Sequence, residues 1–90
     1  MEKTIPIEFI QLIKAIIENV NHKPNALVNA MEQCKQDNRE REYLTFDSAL
    51  CYLTYQNIIQ QEDSTLINAI PNLLNRIQSN VTQINALSII

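Results

Sequence analysis

Glycine is absent from all 90 residues. Phosphate-cradling loops of the P-loop and dinucleotide kind need glycine, so that backbone amides can close on a phosphate with no Cβ in the way. The strained G-x-S-x-G elbow that presents a nucleophilic serine is excluded as well. So are tight Asn-Gly and Asp-Gly hairpins. Basic residues are scarce: seven Lys and Arg against ten Asp and Glu give a formal net charge of −3. They are scattered from Lys3 to Arg76, and no patch can neutralise a run of phosphates, so nucleic acid and anionic membranes are poor partners. No uninterrupted apolar stretch approaches the ~18 residues needed to span a bilayer. The N-terminus lacks the cationic-then-apolar order of a signal peptide. These absences together predict a cytoplasmic protein with no membrane contact. No internal repeat appears, and no segment alternates with period two long enough to be a strand.

Chemistry-bearing residues are equally sparse. His22 is the only histidine. It lies in a polar connection beside a proline, and nothing in the pattern supplies the orienting group and nucleophile that a catalytic base needs. Cys34 and Cys51 stand seventeen positions apart with no C-x-x-C, which reads as two free buried thiols in a reducing compartment. One histidine and two thiols supply three ligands at most, with no close pair to nucleate a zinc site. Asp37-Asn38-Arg39-Glu40 lacks the alternating oxygens and central glycine of a calcium loop. The neighbouring carboxylates Glu40/Glu42 and Glu62/Asp63 sit in polar stretches that offer no desolvated pocket to raise a carboxyl pKa. The expectation is no metal, no cofactor, no catalytic residue and no enzyme.

What the chain has is apolar residues at helical spacing. Its hydrophobic fraction is 46%, normal for a globular domain, and its length fits one domain over 1–90. Asn and Gln together outnumber the charged residues, and Ile is the commonest residue. That bias points to an AT-rich bacterial or phage genome. A surface of amides repels its own copies less than a charged one does.

The first helix is predicted over 6–20, with Thr4 as N-cap and Pro6 in the first turn. Phe9, Ile10, Leu12, Ile13, Ile16, Ile17 and Val20 share one sector, opposite Glu8, Gln11, Lys14, Glu18 and Asn19. Asn21 is placed to end it in a left-handed conformation, the role glycine usually takes. A second helix is predicted over 25–36 with Asn25 as N-cap and a narrow stripe of Leu27, Ala30, Met31 and Cys34. The charged run from Lys35 to Glu42 reads as a solvated loop, with a break before Tyr43. A third helix follows over 45–61, capped by Thr45, with Asp47 in its first turn near the dipole. This helix is apolar on two sides. Phe46, Ala49, Leu50 and Leu53 form one; Cys51, Tyr52, Tyr55, Ile58 and Ile59 form the other. Such a helix sits centrally in its bundle or carries an interface. Asp63 or Ser64 starts the last helical region, where Leu66, Ile67, Ile70, Leu73, Leu74, Ile77, Val81 and Ile84 keep phase across Pro71. Either one kinked helix runs over 64–87, or two meet near Pro71. The predicted fold is all-α, a small bundle of four helices, or five if Pro71 separates two.

The tyrosines are the best candidate anchors for a partner, since each joins a large apolar ring to a polar tip. The expected partner-binding set is Tyr52, Tyr55, Ile58 and Ile59 with Cys51, and Tyr43 at the rim. Its partner is another protein or a second copy in a homodimer. The stretch Ala49-Leu50-Cys51-Tyr52-Leu53-Thr54-Tyr55-Gln56-Asn57, followed by a polar turn and an apolar helix, resembles in layout the later helices of the bacteriocin immunity proteins of Gram-positive bacteria. The resemblance covers about the C-terminal half. The basic residues common in that family are sparse here, and no functional residue is carried over. It implies a helical bundle that binds rather than catalyses, so a small adaptor, inhibitor, regulator or immunity-type protein is expected. The alternative is a dimeric nucleic-acid-linked regulator using the segment over 25–36 as a short crossing helix. That segment lacks a basic face, because Glu32 and Lys35 nearly cancel.

Overall fold

A computed structural model describes residues 5–61 and 64–87. Thr4 and Asp63, both expected as caps, and the apolar end Ser88-Ile89-Ile90 lie outside the described residues. Within them the chain is all-α: α1 (Ile7–Asn19), α2 (Pro24–Gln36), α3 (Glu40–Gln61), the single turn α4 (Ser64–Ile67) and α5 (Ile70–Leu87). The molecule is a slab measuring 42 × 35 × 20 Å, two helix diameters thick.

Two helices end in Schellman motifs built without glycine. At the end of α1, the amide of Asn21 donates to Glu18 O and that of His22 to Ile17 O, both at 3.0 Å. At the end of α2, Asn38 N donates to Lys35 O at 3.3 Å and Arg39 N to Cys34 O at 2.8 Å. Asn21 and Asn38 take the left-handed position with φ of 55° and 59°, and asparagine tolerates that region better than most residues. His22 follows Asn21 into it with φ 58°.

Several element boundaries correct the sequence expectation. Pro24, not Asn25, opens α2, with Lys23 as N-cap and proline in the first turn, where its missing N–H costs nothing. The charged run is mostly helical. α2 extends through Gln36 and α3 starts at Glu40, because Arg and Glu are good helix formers and Glu40 and Glu42 favour the positive helix start. Thr45 is therefore no cap; its Oγ1 donates back to Arg41 O at 2.9 Å inside the helix. The last region divides into two helices at Asn68-Ala69. Pro71 then falls in the first turn of α5 rather than kinking a longer helix.

α3 is the hub. α1, α2 and α5 each pack on it, and no pair of those three makes more than slight contact with each other. The core joins Ala49 and Leu53 of α3 to Ile13 and Ile17 of α1 and Leu27 of α2, all buried, with Phe9, Ile16, Val20, Phe46, Leu50 and Tyr52 packed around them. At about 1.5–3 kcal/mol for each fully buried large aliphatic side chain, this cluster is the main source of stability.

Candidate functional site

The opposite side of α3 is polar. Asp47, Ser48 and Asn80 are buried at 3%, 0% and 5% exposure. Arg76 on α5 grips Asp47 with two bonds of 2.8 Å, Nε to Oδ2 and Nη2 to Oδ1, the forked geometry that suits a guanidinium to a carboxylate. Asn80, one turn along α5, donates through Nδ2 to Asp47 Oδ2 at 2.8 Å and to Ser48 Oγ at 2.9 Å. Ser48 Oγ in turn donates to Leu44 O at 2.8 Å. These pairings tie α5 to one short stretch of α3. Among the described residues no buried side-chain nitrogen or oxygen is left without a partner. Cys51 lies one turn further along α3. Burial, then the negative charge of Asp47, push its thiol up to about 11, against a smaller downward pull from Arg76. At neutral pH it is a protonated, unreactive thiol. Arg76 is held more strongly basic than usual by its bonds and attraction to Asp47.

This seam relocates part of the expected partner-binding set. Cys51 and Ile58 fall in the α5-facing sector of α3 and are only 6% and 5% exposed, so the chain covers them itself. Tyr43 stands nine residues before Tyr52, about 180° around a continuous helix at ~100° per residue. It lines a cleft of about 440 Å³ between α2 and α3 with Cys34, Lys35, Asn38, Arg39 and Glu40. The break expected before Tyr43 had hidden that phase relation.

Three members of the set stay together. Tyr52 and Tyr55 are half-buried, with ring centroids 5.6 Å apart and planes tilted by 40°. Lys14 of α1 places its ammonium 5.9 Å from the centroid of Tyr52, within range of a cation–π attraction. Ile59, one turn beyond Tyr55, is 48% exposed. Further along the chain, Leu66 and Ile67 of α4 are 41% and 47% exposed. Ile59 is thus an exposed aliphatic side chain one turn from the tilted tyrosine pair, and α4 adds two more exposed aliphatics.

A second opening lies between α1 and α5. It is a groove of about 290 Å³ lined by Pro6, Glu8, Phe9, Leu12, Val81, Ile84 and Asn85. Leu12 is 48% exposed, so the wide stripe read on α1 is only partly covered. Leu12 and Lys14 are two residues apart, about 200° on the helix. The groove and the tyrosine strip thus lie on opposite sides of α1.

Sequence reasoning missed the seam. Asp47 was read only as a dipole partner. The available signal was phase: Leu44, Asp47, Ser48 and Cys51 follow i, i+3, i+4, i+7, so a carboxylate sits in a row meant for burial. Arg76 and Asn80 flank the fully buried Ile77 in the same way. Among the described residues no group of three or more His, Cys, Asp and Glu could hold a metal ion. No helix there is long and apolar enough to cross a membrane. No protein-family model, curated protein or solved structure matches the chain.

Proposed function

We propose that this chain is a non-catalytic protein-binding module that docks a partner protein on the strip formed by Tyr52, Tyr55 and Ile59. The observation that carries the reading is Ile59, nearly half exposed directly beside the Tyr52–Tyr55 pair. The Tyr52 ring, packed beside Tyr55 and under the Lys14 ammonium, has less rotamer freedom left to lose, which favours binding. Exposed aliphatics around such anchors exclude water from the contact. The buried polar groups serve α3–α5 packing, and the protonated Cys51 offers no nucleophile. A small adaptor, inhibitor, regulator or immunity-type protein in the cytoplasm would use a surface of this kind.

The test is site-specific photo-crosslinking in the native host. A benzoylphenylalanine at position 59 should form an adduct with a partner protein. The same probe at Asn57, exposed on another side of α3, should not. Tyr55→Glu should suppress the adduct from position 59 while helicity by circular dichroism persists. Adducts of equal yield from both positions, or none from 59, would refute the strip. If Tyr55→Glu unfolds the chain, Ile59→Asp in competition with unlabelled wild type replaces it, since Ile59 is already exposed.

A further inference from the structure

We draw no further inference here: the strongest candidate, the open cleft between α2 and α3 lined by Cys34, Lys35, Asn38, Arg39, Glu40 and Tyr43, brings both signs of charge together on exposed side chains, and nothing in the structure shows which ligand would occupy it.

Discussion

Toward α1 and α2, the heart of the contact on the central helix is carbon: Ala49 and Leu53 close on Ile13, Ile17 and Leu27 with no polar atom among those side chains. Toward α5, the same helix is held by a carboxylate, a hydroxyl, an amide and a guanidinium in one connected network. The dry side gains free energy from buried apolar area. The wet side gains less, because Asp47 must be desolvated before Arg76 and Asn80 repay it. It does fix one alignment: a slip of α5 along α3 would strand a buried carboxylate. The fold thus separates two tasks on one helix, cohesion on one face and register on the other.

The dry side gives the largest predicted effect. Ile13 is 0% exposed. Ile13→Asp removes a buried aliphatic side chain and forces a charge into the cluster. The combined cost of roughly 5 kcal/mol or more rivals the whole stability of a domain this size. The helical circular dichroism signal and its thermal transition should both be lost. A cooperatively melting, fully helical Ile13→Asp protein would mean that α1 is not part of the core.

The wet side should respond more weakly and in a pairwise manner. Asp47→Ala leaves Asn80 without its charged acceptor and Arg76 without its partner, and should cost about 2–4 kcal/mol in urea unfolding. Arg76→Ala should cost about as much, because it leaves the buried Asp47 carboxylate with Asn80 as its remaining side-chain donor, softened by the water that reaches the 60% exposed guanidinium side. The double variant should be more stable than the sum of the two losses predicts, by about 1 kcal/mol or more. Strict additivity would break the contrast, leaving Ile77 and its apolar neighbours to hold α5 by themselves.

How far the sequence revealed this arrangement follows from how local each feature is. The apolar sector of α1, the left-handed Asn21 and the break near Pro71 depend on residues within one or two turns, and all were legible. So was the two-sided character of α3, whose central place in the bundle follows from it. The start of α3 was not, because a run of Arg and Glu carries helix propensity without any apolar phase to mark it. That error shifted Tyr43 into the wrong sector. The seam was illegible for a different reason. Asp47 meets Arg76 and Asn80 across 29 and 33 residues, and no local pattern names a partner at that distance. With α5 unplaced, Cys51 and Ile58 looked like surplus surface. With it placed, the surplus moves to Ile59 and, on α1, to Leu12 and to Ile7 at 66% exposure.

The smallest predicted effect tests whether the wet side is sealed against water, and it is read from pH. The Cys51 thiol titrates near 11 in the folded chain, against an ordinary value of 9.0. Between those values the unfolded chain has lost the proton and the folded chain keeps it, so the folded state binds more protons and stability falls as pH rises. Each pH unit inside the window is worth at most about 1.4 kcal/mol. Wild type should therefore lose about 1 kcal/mol more than Cys51→Ala between pH 9 and pH 10, measured by urea unfolding at both values. Tyrosine and lysine titrations are common to the two proteins and cancel in that difference. Equal slopes would mean that water reaches the thiol beside Asp47. The seam would then be a hydrated ion pair at a helix edge, and the contrast between the two sides of α3 would lose its physical basis.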